Sequence, residues 1–262
     1  MPDYTTSLGT SDADTISLLG QDLAGDLMGK VGFGELAFWM VARRRPTPGE
    51  VRLFEAVLVS LADHGFTPTA IAARLTYYSA PDSLQGAIAA GMLGGGSRFL
   101  GVTEDTGVFL HAIVGELDDT ETWDDRRWDE LALQTVRDRK AAGAFVPGLG
   151  HPVHKSGDPR VPALIAIATD EGVRGPHMKL FEAIGRVHDQ ALGRSLPLNG
   201  AGIAGAALAD LRLPVSMLRG FSLLARTAGL IGQIAEEQRS PIGPAVYESV
   251  DRNARYVDPA HS

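Results

Sequence analysis

The chain has 262 residues, 44% hydrophobic and 21% charged, enough to bury a core in one large domain or two modest ones and unlike a disordered chain. A formal net charge of −8 argues against nucleic acid or an anionic membrane surface as a partner held by bulk electrostatics. There is no cysteine, which excludes disulfides, thiol nucleophiles and thiolate-bound metals.

The opening MPDYTTSLGTSDADT is polar and acidic, unlike a signal peptide, and no apolar run reaches membrane-spanning length, so a cytoplasmic protein is expected. Residues up to about Asp14 read as a loose arm. Ile16, Leu18, Leu19, Leu23, Leu27 and Met28 then give Thr15–Met28 a helix-like scatter, and Glu35–Arg43 reads as a second short helix. Thr47-Pro48-Gly49-Glu50 is a helix start, with Thr as N-cap, Pro at the first helical position and Glu three after the cap. Phe54, Val57, Leu58 and Leu61 share one buried face of that helix, which stops at Asp63-His64-Gly65. His64 at a helix C-terminus has a structural reading, since an imidazolium there interacts well with the dipole. Thr67–Tyr77 begins the next segment and carries Arg74.

Ser83–Gly96 is built from Ala, Gly, Leu, Ile and Met and is expected to be a close-packed internal helix. Asp118–Asp129 is acidic, and Trp128, Leu131, Ala132 and Val136 make the following helix amphipathic. Pro162–Thr169, Met178–Leu192 and Ile203–Leu211 are further helices, and Ser216–Gln238 is the last long one. Runs of β-branched residues with period two are absent, and no hairpin signal or solenoid repeat is found. The fold class expected is all-α.

Val146–Arg160, VPGLGHPVHKSGDPR, is the stretch between helices that stands out. Its prolines and glycines forbid a regular element, and His151, Lys155 and Arg160 put an imidazole beside fixed cations, a pattern suited to an anionic substrate. A surface turn with incidental charges is the other reading. Arg226 lies among Leu223, Leu224, Ala225, Ala228, Leu230 and Ile231 with no acid near it in sequence. It calls either for a salt bridge to a distant acid or for a carboxylate ligand. Gly94-Gly95-Gly96 lacks the strand and lysine of a phosphate loop, and no Gly-x-Ser-x-Gly elbow occurs. His151 and His154 sit in a proline-broken loop with no third ligand nearby, so no metal is expected.

With these residues in view, the chain resembles the citrate synthase superfamily, and within it citryl-CoA lyases and the citryl-CoA-cleaving domain of ATP-citrate lyase. The resemblance runs from about Ile16 to Gln238 in matching order. Its most specific piece is Val-Pro-Gly-Leu-Gly-His at 146–151 with Asp-Pro-Arg at 158–160. Ala62-Asp63-His64-Gly65 is similar to the family's Ala-Asp-His segment, and Gly96-Ser97-Arg98-Phe99-Leu100-Gly101 to the Gly-Asp-Arg-Phe-Gly-Gly of the lyase branch. Leu198-Asn199-Gly200-Ala201-Gly202 stands where the family has Leu-Asn-Val-Asp-Gly, and Ala225-Arg226-Thr227-Ala228-Gly229 where it has Ala-Arg-Thr-x-Gly.

The resemblance implies a citrate synthase-like helical fold, with a large domain over 1–103 and 209–262 and a small domain over 104–208 that closes over the site. It implies that His151 is catalytic, handling the proton of the substrate's tertiary hydroxyl or of the carbonyl it becomes. His64, Arg160, Arg226 and Asn199 would bind the oxaloacetate-like half. The backbone of Val146, Gly148, Leu149 and Gly150, with Lys155, would contact coenzyme A, which enters as a thioester substrate. The partners implied are a CoA ester, a dicarboxylate and a second copy of the chain in a homodimer or higher homo-oligomer, with no nucleic acid and no membrane.

Two positions depart from the pattern. The synthases' second histidine, which the lyase branch also lacks, falls on Leu100, and the acid/base aspartate falls on Ala201. Asn199, Glu104 and Asp105 are the polar residues considered as substitutes, and the late Arg-Pro-Arg has only a partial echo in Arg239-Ser240-Pro241. The expected activity is a C–C lyase that cleaves citryl-CoA, or a related 3-hydroxyacyl-CoA, to acetyl-CoA and oxaloacetate or another oxo-acid. A synthase-type acyltransferase, an acyl-CoA hydrolase variant and a non-catalytic CoA-ester-binding subunit are the alternatives.

Overall fold

The computed structural model describes residues 3–151 and 154–259, so Pro152 and Val153 of the basic loop lie outside the described residues. Strands β1 (Gly9–Ser11), β2 (Ile16–Leu18) and β3 (Gln21–Asp22) come first. Helices α1 (Phe33–Ala42), α2 (Pro48–Leu61), α3 (Pro68–Ser79), α4 (Leu84–Leu93), α5 (Val102–Val114) and α6 (Asp125–Ala141) follow. The chain continues through α7 (Arg160–Asp170), α8 (Pro176–Leu192), α9 (Gly200–Asp210), α10 (Leu218–Arg239) and α11 (Gly243–Asn253). It divides into two compact units, Met1–Ser60 with Val102–Arg219, and Leu61–Gly101 with Gly220–Ser262.

In the first unit, α8 is the central helix, burying Met178, Leu180, Phe181, Ala183, Ile184 and Val187. Helix α6 packs on it with Trp128, Ala132 and Val136, the stripe its sequence predicted. Helix α9 is buried along almost its whole length because it is glycine and alanine: a methyl at Gly205 would run into the Thr103 carbonyl of α5. Asp210 at its end accepts the N–H groups of Gly175 (2.9 Å), His177 (2.9 Å) and Met178 (3.0 Å), capping α8. The start of α2 is the capping box read from sequence, with Thr47 N–H on Glu50 Oε2 (2.8 Å) and Glu50 N–H on Thr47 Oγ1 (3.3 Å). Glu50 also takes both Arg44 nitrogens (2.7 and 2.8 Å), and those bonds hold its carboxyl below the usual range against the opposing effect of burial.

In the second unit, Ala73, Ala87, Leu230 and Ile234 form a core shared by α3, α4 and α10. Gly91 lets α4 approach closely, since a methyl there would lie 2.7 Å from Leu230 and 2.9 Å from the Thr69 carbonyl. None of the helices among the described residues is long and apolar enough to cross a membrane.

The all-α expectation holds apart from the N-terminus. Residues 9–22 are not an arm followed by a helix but an antiparallel meander in the order β1-β2-β3. Leu19 (φ 53°) and Gly20 (φ 75°) make its second turn, both left-handed as a two-residue hairpin requires. A leucine in that role carries no turn signal, and Leu23–Leu27 behind it is a single π-helical turn. Helices α5 and α11 were not expected either. The internal small-residue helix is α9 rather than Ser83–Gly96: in α4 only Ala87 and Gly91 are buried, while Leu84 and Leu93 are exposed.

Candidate functional site

In the first unit two loops meet backbone to backbone. Gly148 is at φ 81° and Gly150 at φ 93°, conformations that favour glycine. A methyl on Gly148 would lie 2.6 Å from the Phe181 ring and 2.9 Å from Gly202 Cα, so both family-like motifs need glycine at their contact. Gly150 N–H donates to the Pro197 carbonyl (2.7 Å) and Asn199 N–H to the Gly148 carbonyl (2.9 Å). Asn199 completes the latch: its Nδ2 donates to the Gly150 carbonyl (2.8 Å), and its Oδ1 accepts Gly202 N–H (2.8 Å) as the N-cap of α9. Lys155 Nζ donates to the carbonyl of His151 (2.8 Å).

Asp158 is the centre of this cradle. It is 3% exposed and accepts Arg160 Nε on Oδ1 (2.9 Å), Arg160 Nη2 on Oδ2 (2.6 Å), Arg160 N–H on Oδ1 (3.1 Å) and Gly200 N–H on Oδ2 (2.7 Å). Burial alone would raise its pKa, but the Arg160 fork and the two N–H donors outweigh it and hold the carboxyl well below the usual carboxylate range. Arg160 gives its remaining Nη1 to the Ser60 carbonyl (3.1 Å), and its guanidinium lies where a methyl on Gly200 would stand. The arginine is thus pinned over the N-terminus of α9.

His151 faces the same carboxylate. Its side chain is 9% exposed, and Nε2 lies 3.9 Å from Asp158 Oδ2. His154 N–H donates to His151 Nδ1 (2.9 Å), so Nδ1 accepts and the neutral ring carries its proton on Nε2. An imidazole held this way is built to donate a hydrogen bond through Nε2. The structure therefore brings together His151, Arg160, Asn199, Lys155 and Val146–Gly150, and adds Asp158. The sequence reading passed over Asp158 as part of Asp-Pro-Arg, though an acid two residues before an arginine in a loop was its signal.

The loop Val146–Gly150 also borders two hollows. Pro147 lines an open groove of about 530 Å³ with Glu104, Asp105, Val108, Phe109 and Arg139. Val146 and Leu149 line a smaller hollow of about 200 Å³ with Phe145, Leu196, Lys140 and Arg194. Glu104 and Asp105 each lie against Arg219, at 3.4 and 3.5 Å. Ala201 is the second residue of α9 and presents a methyl where the family pattern has a carboxylate.

The second unit holds His64 and Arg226. A methyl at Gly229 would run into the Ala62 carbonyl and lie 3.4 Å from Asp63 Cβ, so Ala-Asp-His and Ala-Arg-Thr-x-Gly are also joined through a glycine. Arg226 is 5% exposed, and its Nη1 lies 3.6 Å from Asp63 Oδ1, an acid distant from it in sequence. Leu100, at the position of the synthases' second histidine, is buried.

Comparisons with known proteins bear on the family and the fold. A family model described as citrate synthase, C-terminal domain, matches residues 20–244. The 2-methylcitrate synthase 1 of Corynebacterium glutamicum is 29% identical over 199 residues, 72% of this chain and 46% of that protein. The chain spans about half the length of the curated relatives it matches. Citryl-CoA lyase from Hydrogenobacter thermophilus superposes with a TM-score of 0.83 at 27% identity, covering 97% of this chain and 94% of that one. ATP citrate lyase from Methanothrix soehngenii, solved with citrate and coenzyme A, gives 0.78 at 22% identity over 99% of this chain and 42% of that one, a likeness of fold. With the family model spanning most of its length and both pairs of motifs locked together by their glycines, the chain belongs to the citrate synthase family.

Proposed function

We propose that the chain is a C–C lyase acting on citryl-CoA or a close 3-hydroxyacyl-CoA, releasing acetyl-CoA and an oxo-acid. The observation that carries the reading is the likeness to citryl-CoA lyase, with a TM-score of 0.83 at 27% identity over 97% of this chain. Cleavage breaks the bond between the hydroxyl-bearing carbon and the carbon next to the thioester. The hydroxyl loses its proton as the carbonyl forms, the electron pair passes to the thioester enolate, and a proton returns to make the acetyl methyl. His151 would donate through Nε2–H to the reacting oxygen, stabilising charge there. Taking the hydroxyl proton itself requires the other tautomer, and so release of the His154 N–H.

Arg160, with Arg226 and His64, would hold the carboxylates of the oxo-acid half, the bidentate task a guanidinium suits. Coenzyme A would run along Val146, Gly148, Leu149 and Gly150, with Lys155 as a phosphate contact. Asn199 would act by fixing that loop. The active form would be a homodimer or higher homo-oligomer, which sedimentation checks. The test is incubation with citryl-CoA and citramalyl-type thioesters, followed by assays for acetyl-CoA and oxo-acid. Cleavage of none of them removes the reading, and free CoA without an oxo-acid identifies a hydrolase instead.

Ala201 favours a second reading, in which the chain binds a CoA ester without turning it over. A lost acid/base group costs about 10²–10⁴ in rate. Calorimetric binding of citryl-CoA with no product would decide for it. Restoring the carboxylate with Ala201→Asp would then produce acetyl-CoA only if the remaining groups are competent.

A further inference from the structure

We infer that Asp63, backed by Gln233, is a positioning pair that fixes the Arg226 guanidinium for its carboxylate; the inference rests on the reading of Arg226 given above. Arg226, Gln233 and Glu237 are spaced i, i+7 and i+11 along α10 and so share one face of that helix. A continuous polar chain runs along this face. Asp63 Oδ1 lies 3.6 Å from Arg226 Nη1 and accepts Gln233 Nε2–H (3.0 Å), while Asp63 Oδ2 accepts Gly65 N–H (2.8 Å). Gln233 Oε1 in turn accepts Arg74 Nε–H (2.8 Å), and Arg74 pairs with Glu237 (3.1 Å) and Glu236.

Each end of the chain has a different task. Glu237 accepts Ile242 N–H (3.0 Å) and Gly243 N–H (2.7 Å), so the Arg74 end caps α11 and needs no functional explanation. At the other end the cation is buried, with the Arg226 side chain 6% exposed, while the Asp63 side chain is 41% exposed. Here the carboxylate is anchored by two N–H donors and holds Arg226 at a distance too long for a hydrogen bond, so it orients the guanidinium by its field. The amide between is required as an amide. It must donate to Asp63 and accept from Arg74, which neither Leu nor an ionised Glu can do.

The test uses the full chain with Gln233→Glu, Asp63→Asn and Arg226→Ala. Binding of oxaloacetate and citrate is followed by calorimetry across pH, and the Arg226 Nε–H resonance by ¹H–¹⁵N spectroscopy without ligand. In Gln233→Glu the new carboxylate repels Asp63 when ionised and donates to it again when protonated. Dicarboxylate binding is therefore expected to weaken about tenfold at neutral pH and to recover as the pH falls, whereas a merely structural role would leave no pH dependence of that kind. Asp63→Asn is expected to weaken binding similarly without the recovery, and both variants are expected to move the Arg226 resonance. An unmoved resonance, or affinities within twofold of the parent while Arg226→Ala loses binding, overturns the inference and leaves the Arg226 reading standing. If Arg226→Ala binds like the parent, that reading is what has failed, and the inference falls with it.

Discussion

Asp158 and Asp63 each lie against an arginine, one in each unit, and hold it by different physics. Each stands behind an arginine proposed to hold a substrate carboxylate. The Asp158 side chain is fully buried, bonded to the Arg160 fork, and shares the Gly200 N–H. Asp63 is partly in water, 3.6 Å from Arg226, and is itself held by Gln233 and Gly65. A buried carboxylate with four donors fixes geometry and is ruinous to remove, because the charges it neutralises are left unpaired. A half-wet one contributes little to stability, so its removal reports on positioning. Fold and function are therefore entangled in the first unit and separable in the second.

The largest effect that would sharpen this contrast is that of Asp158→Ala. It strands the Arg160 guanidinium in its pinned position and should cost about 3–5 kcal/mol in denaturant unfolding. A loss under about 1 kcal/mol would mean the cradle relaxes and is no more rigid than the Asp63 tether. Next come the glycines that join the motifs. Gly148→Ala meets both a left-handed backbone and Gly202 Cα at 2.9 Å, and Gly229→Ala meets the Ala62 carbonyl, so each should cost about 1–3 kcal/mol. Gly229→Ala should also move Asp63 away from Arg226 and weaken dicarboxylate binding more than its stability loss explains.

The pH dependence follows from the same carboxylate. Asp158 has its folded pKa depressed below the ordinary 3.8, so its contribution is complete above that value and is lost as pH falls through the folded one. Unfolding midpoints of the parent should therefore decline below about pH 4 more steeply than those of Asp158→Asn. Parallel curves would show that the carboxylate is not held in its anionic form by Arg160.

Much of this was legible in the sequence where the interaction is local. The Thr47–Glu50 capping box, the Trp128 stripe of α6 and the His151–Arg160 loop all lie within a few turns of chain. Helix α5 escaped because the face it buries is Thr103, Thr106, Gly107 and Leu110, more polar and small than apolar. Helix α11 was missed although its apolar residues do favour one face, and only Gly243 at its start is fully buried. Asp158 looked like one charge among several in a basic loop; its place two residues before Arg160 was the signal, and its burial gives that signal weight. Gln233 could not be found at all from sequence, since Asp63, the partner that gives it meaning, lies 170 residues away.

The smallest expected effect is also the most discriminating. Asp63→Asn keeps the shape and can keep an acceptor oxygen for either Gly65 or Gln233, while removing the charge that faces Arg226. With the side chain two-fifths exposed, water screens the ion pair, and the stability loss should stay below about 1 kcal/mol. Unfolding curves should then nearly overlay those of the parent while affinity for a dicarboxylate falls. Had Asp63 been a structural counter-ion like Asp158, removing it would leave an uncompensated guanidinium in the core, and stability would fall by several kcal/mol with affinity. The order in which these two quantities respond tells a tether from a cradle.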